Sequence, residues 1–152
     1  MFQEMSGELL RLGYRIRFRP GGHSMQPTIR DGEAVTVAPV NPRTVKRGDI
    51  LLYSTGAGVI AHRVVAVSRD AAAGRYFLLR GDSSSTTDKP VAAHQVLGRI
   101  VYVEREGRRI SLAGRSVRIR HGATLLAARI RRRLAQASRL CEITAGKPRA
   151  GI

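Results

Sequence analysis

Cysteine is almost absent from this chain: Cys141 is the only one in 152 residues. That excludes an internal disulfide and a metal cluster held by thiolates. Aromatic side chains make up 5% of the sequence, with no tryptophan, which leaves few platforms for stacking nucleic-acid bases. No segment approaches the roughly 20 apolar residues a membrane-spanning helix needs. The richest stretch, DILLYSTGAGVIAHRVVAV from residue 49, is cut by polar and glycine residues. The opening 22 residues carry two glutamates, four arginines and no apolar run longer than two, so no secretory signal is read there. Acidic residues are scarce as well, 11 against 27 lysines and arginines, for a net charge of +16. Between Glu106 and Glu142 there are none, while ten arginines fall in that interval. Such an excess attracts nucleic acid, anionic lipid headgroups or an acidic partner. Arginine enrichment through high-GC coding would give the same composition with no ligand at all.

What remains is an ordinary globular composition, 43% hydrophobic, long enough for one real core. The predicted class is mainly β: a small β-barrel or coiled antiparallel sheet. After a short helical lead-in over 4–12, the alternation in YRIRFR, AVTVAPV, DILLYS, GVIAHRVVAVSRD and GRYFLLRGD reads as strands broken by glycine, proline and charged turns. HQVLGRIVYVERE and RRISLAG read as a closing hairpin around EGR. The pattern then changes. We divide the chain into a domain over 1–112 and an arginine-rich extension over 113–152. The extension is predicted to hold a helix at about 122–140, with Leu126, Ile130, Leu134 and Ala137 on one face. Arg129, Arg131, Arg132, Arg133 and Arg139 occupy much of the rest. A cationic amphipathic helix of this kind suits an anionic membrane surface or an acidic partner. It equally suits plain packing of the apolar stripe with the arginines in water.

The stretch GGHSMQPTIRDGE, residues 21–33, sets a serine on a glycine-rich turn. A serine hydroxyl needs a base within hydrogen-bond reach to become a nucleophile. His23 is adjacent to Ser24, but neighbouring side chains on an extended backbone diverge. His62 lies within a strand that would hold its ring still, and Asp82 and Asp88 follow in a polar loop as candidates to orient it. Serine, histidine and aspartate form a familiar solution to acyl transfer, although a chain with four histidines offers several such triples.

The motifs narrow the choice. GHSMQPTIRDGEAV resembles the serine box of type I signal peptidases, and KRGDILLY resembles the box that follows it. IAHRVVAV is similar to the His-Arg-Val-Val box of the endoplasmic-reticulum and archaeal type. LRGDSSSTTDKPV resembles the Gly-Asp box, and VLGRIVYV the strand after it. These five matches keep the family's order and span residues 21–103. The resemblance implies Ser24 as nucleophile, His62 as general base where commoner relatives carry lysine, and Asp88 as the acid that orients it. A histidine base, with an ordinary pKa of about 6.5, is neutral at pH 7 without deep burial. Asp82 would shape the wall, and Gly22 would set the backbone for an oxyanion site. Met25 would line the floor, Pro27 would stiffen the exit from the turn, and Arg63 would form a structural salt bridge. His23 becomes a bystander.

One departure stands out. Many relatives place an oxyanion-binding serine two residues before the nucleophile, where this chain has Gly22. Ser83, Ser84, Ser85 or a backbone amide would have to replace that donor, whose loss can cost on the order of 3 kcal/mol.

The resemblance further implies an extended peptide or precursor-protein substrate, cut after small residues, commonly with alanine at the first and third positions before the bond. Met25, Ile29, Ile60 and Tyr53 would form the walls. No cofactor or metal is expected, nor specific nucleic-acid binding. A cytoplasmic location is expected, with the basic extension as a peripheral membrane contact. Two rival readings are a non-catalytic peptide- or nucleic-acid-binding module, and the self-cleaving domain of an SOS repressor. The latter needs a lysine where His62 stands.

Overall fold

The computed structural model describes residues 2–70 and 74–113, within the unit Met1–Ala113. The helix expected at about 122–140 and the arginines assigned to it lie outside the described residues. The chain opens with helix α1, Phe2–Arg11, which carries Glu4 in its first turn and Arg11 in its last, the charge placement that complements the helix dipole. It ends where the Gly13 and Tyr14 amides turn back to the Leu10 and Leu9 carbonyls, the paired bonds of a Schellman motif. Ser6, Gly7 and Leu10 are its buried side.

Eight strands follow: β1 Ile16–Phe18, β2 Ala34–Ala38, β3 Ile50–Thr55, β4 Gly58–Asp70, β5 Gly74–Arg80, β6 Val91–Ala92, β7 Val96–Arg105 and β8 Arg108–Ser111. Every run predicted as a strand forms one, and β7 with β8 is the predicted hairpin around Glu106 and Gly107. The two-residue β6 is too short to leave a periodic signal in the sequence.

All pairings are antiparallel, in the order β1-β2-β7-β3-β4-β5-β6, with β8 also on β7. Late in the sequence, β7 inserts between β2 and β3. On one edge it meets β2; on the other it meets β3 through Val96–Arg99 and then β8. The sheet is not closed into a barrel. Its end strands β1 and β6 are three and two residues long, too short for the continuous ladder that closure needs. Ladder shifts at Thr36/Val37, Leu52/Tyr53 and Val64/Ala66 bend it instead, as bulges do.

Alternation places Leu51, Tyr53 and Val64 on one face, packed with Val45, Phe77, Leu79 and Val91. Val35, Val37, Ile100 and Val103, on β2 and β7, are equally inaccessible to solvent. Among the described residues no helix is long and apolar enough to cross a membrane.

Candidate active site

The Ser24 loop, residues 19–33, joins β1 to β2. Gly22 holds a φ of +106°, a region in which a side chain is strained, and its amide donates to Asp31 Oδ1 at 2.8 Å. The turn is closed by Gln26 N–H to the His23 carbonyl and Ile29 N–H to the Met25 carbonyl. Met25 and Ile29 point inward and are buried. The peptide bond preceding Pro27 is cis. Ser24 is left exposed at the rim.

His62 meets this serine from the middle of β4. Its Nε2 lies 3.0 Å from Ser24 Oγ, and its Nδ1 lies 2.6 Å from Asp88 Oδ2. Its side chain is 11% exposed. Asp88 sits in the loop after β5, where its amide donates to the Leu79 carbonyl at 2.8 Å. Gly81 permits the approach. A Cβ there would stand 2.6 Å from the Ser24 carbonyl oxygen and 3.1 Å from His62 Nε2. Ser24, His62 and Asp88 are thus brought together, across 64 residues of sequence. His23 is exposed, and its Nδ1 lies 2.9 Å from Gln26 Nε2.

Sequence reasoning misplaced Tyr53. It was expected in the substrate wall, but it is 1% exposed in the core, and its hydroxyl donates to Asp88 Oδ2 at 2.9 Å. The same oxygen therefore accepts from Tyr53 and faces His62. Burial first, then the hydrogen bond to Asp88 and the carboxylate's charge, raise the phenol above its ordinary pKa. The register explains the arrangement: Tyr53 pairs with Ile60 and Leu51 with His62, so Tyr53 is the diagonal neighbour of His62 on one face. The alternation of β3 was visible in the sequence, but the neighbour across the sheet was not.

Two ion pairs brace the serine loop from behind. Arg63, next to His62 but on the opposite face, makes the expected salt bridge. Its partner is Asp82, through Nε to Oδ1 at 2.8 Å and Nη2 to Oδ2 at 2.7 Å. Both side chains are buried. Arg63 also donates to the Gly48 carbonyl and to Thr28 Oγ1, while Thr28 donates to Asp82. Arg105, at the end of β7, grips both oxygens of Glu33 and reaches the Pro27 and Thr28 carbonyls. Its hydrogen bonds hold the Glu33 carboxyl below the usual carboxylate range, overcoming the opposing effect of desolvation. Arg105 had not been singled out in the sequence, because its partner is 72 residues away.

Two of the three serines named as replacements for the missing donor are otherwise engaged. Ser83 Oγ donates to the His23 carbonyl at 2.9 Å and Ser84 Oγ to the Thr86 carbonyl at 3.1 Å. The Ser83 amide donates to the Ser24 carbonyl.

A cleft of about 620 Å³ opens beside Ser24 and His62. Phe18, Met25, Ile29, Leu52, Val59 and Ile60 contribute apolar surface to it, so three of the four predicted wall residues line it and Leu52 takes the place of Tyr53. Among the described residues no cluster of three or more histidine, cysteine or acidic side chains could hold a metal ion.

No protein-family model matches this chain, and no curated protein sequence matches it.

Proposed function

We propose that this chain is a serine endopeptidase related to type I signal peptidases of the Ser-His-Asp kind. The observation that carries the reading is the continuous line of contacts from Ser24 Oγ through His62 to Asp88, at 3.0 and 2.6 Å, opening onto a cleft. In this reading His62 Nε2 takes the hydroxyl proton as Ser24 Oγ bonds to the carbonyl carbon. Asp88 holds the ring through Nδ1 and stabilises the imidazolium. The proton then passes from Nε2 to the leaving amine as the C–N bond breaks, and water resolves the ester by the same steps in reverse roles. The backbone amide of Ser24 serves the developing oxyanion, since neither Ser83 nor Ser84 is free to do so.

The sheet supports an extended substrate. Along Gly58–His62, β4 pairs with β3 on one edge, and β5 joins the other edge only from Arg63 onward. That short edge, unpaired among the described residues, belongs to the part of β4 from which Val59, Ile60 and Ala61 line the cleft. It can accept a peptide as an added strand. Small residues before the scissile bond remain part of the proposal, as does a cytoplasmic location with peripheral membrane contact through Arg129, Arg131, Arg132 and Arg133. Cell fractionation tests the location.

The decisive experiment is digestion of a peptide library by the wild type and by Ser24→Ala, read by mass spectrometry. Cleavage should vanish in Ser24→Ala and nearly vanish in His62→Ala, while His23→Ala should retain it. An essential His23 with a dispensable His62 would overturn the assignment. Cleavage by neither the wild type nor Ser24→Ala, across pH and lipid conditions, would count against any peptidase.

A further inference from the structure

The cleft is electrostatically one-sided. Among the described residues Arg19 and Arg30 line it, and no aspartate or glutamate does. The two arginines are brought to one place. Arg19 Nη1 donates to the Gly32 carbonyl at 2.6 Å, which puts its guanidinium at the turn that carries Arg30. The acids nearest in sequence are already committed. Asp31 accepts from the Gly22 amide, and Glu33 is gripped by Arg105. Arg30 meets Glu33 through its backbone amide and not its guanidinium. Its charge only adds to the depression of the Glu33 carboxyl. Its side chain is exposed and has no hydrogen-bond or ion-pair partner among the described residues. The cleft therefore presents an apolar floor beside Ser24 and, at the Arg30–Gly32 turn, two guanidiniums with donors to spare.

We infer that the preferred peptide carries a carboxylate that docks on Arg19 and Arg30 while the bond to be cut lies at Ser24. This rests on the peptidase reading of the same site and narrows its substrate class. A guanidinium pair recognises a carboxylate through charge-assisted hydrogen bonds. The apolar cleft walls lower the local screening relative to open water. The chain's net charge of +16 draws acidic peptides toward the protein before they dock. The carboxylate belongs either to an internal Asp or Glu or to a free C-terminus, two sources with the same chemistry.

The test uses fluorescein-labelled decapeptides of alanine and serine with amidated ends, carrying one Glu or one Gln at each position in turn. A second Gln set ends in a free carboxylate. The wild type is assayed for kcat/KM and the Ser24→Ala protein for affinity by anisotropy. The best Glu peptide, or the free-acid set, should exceed its neutral twin by about tenfold in both measurements. Arg30→Gln removes no side-chain hydrogen bond or ion pair among the described residues and should shrink that ratio to about twofold. Raising the salt to about 0.5 M should shrink it in the wild type. An advantage confined to the free-acid set identifies a terminal carboxylate; one that follows internal Glu identifies a side chain. Equal affinity for all neutral and acidic twins would overturn the inference, and so would a ratio unchanged by Arg30→Gln. If no peptide is cut in a Ser24-dependent way, the peptidase reading falls, and the anisotropy measurements still decide the carboxylate question.

Discussion

Tyr53 gives the Asp88 carboxylate a fixed reference in the core. Asp88 sits in a polar loop, and a carboxylate there would rotate among several hydrogen-bond partners. One hydrogen bond from a fully buried phenol limits that freedom and so fixes the direction of the His62 ring. A hydrogen bond to a charged group contributes roughly 1.5–3 kcal/mol. Tyr53→Phe should therefore lower kcat by about tenfold or more, with KM little changed because Tyr53 does not line the cleft. Steady-state kinetics on the best peptide from the library separates the two parameters. Gly22 makes a second prediction at this scale. The serine box that this loop resembles often carries a serine donor at this position, but here the φ of +106° disfavours any side chain. Gly22→Ser should lower stability by about 1–2 kcal/mol and bring no gain in rate, as denaturant titration and kinetics can check.

The Ser24 loop is an irregular element, and it is positioned by its neighbours more than by its own hydrogen bonds. Arg63–Asp82 braces it from β4 and the loop after β5, and Arg105–Glu33 from β7. The second pair links the loop to pH. The folded-state pKa of Glu33 is depressed, so its contribution is fully present above the ordinary glutamate value of about 4.3. That contribution is lost as pH falls through the depressed folded value. Both side chains are partly exposed, which limits the pair to about 1 kcal/mol. Glu33→Gln should be less stable than wild type by that amount at pH 7; the difference should begin to narrow as pH falls below the ordinary glutamate value of about 4.3 and close only below the depressed folded value. Urea titrations across this pH range measure it. A gap that persists at low pH would mean that shape, and not charge, makes the contact.

At the scale of the whole molecule, the order of strands explains which parts are rigid. The middle of the sheet has partners on both edges in β7, in β3 and around Arg63–Val64 of β4, whereas β1 and β8 lie at edges. Amide exchange should be slowest at Leu51–Tyr53 and Val64 and fastest in β1 and β8, where opening needs no global unfolding. Exchange by mass spectrometry with peptide-level resolution would show this gradient. His62 adjoins the doubly paired part of β4, which begins at Arg63, while Phe18 and Arg19, which also line the cleft, belong to or adjoin a three-residue edge strand.

The sequence by itself determined the strands. Period-two alternation and glycine or proline punctuation are local signals, and they place five strands and the closing hairpin. It also singled out Ser24, His62 and Asp88, because their motifs keep their order along the chain. Only the tertiary structure decided what depends on distance through space. It inserted β7 between β2 and β3, made the sheet the open antiparallel one of the two forms expected, and moved Tyr53 from the expected substrate wall to the Asp88 carboxylate. It paired Arg105 with Glu33 across 72 residues and gathered Arg19 and Arg30 at one turn. The reason is physical. A strand's residues announce which faces alternate, but the neighbour across the sheet is chosen by register and burial. Those are properties of the whole packed chain.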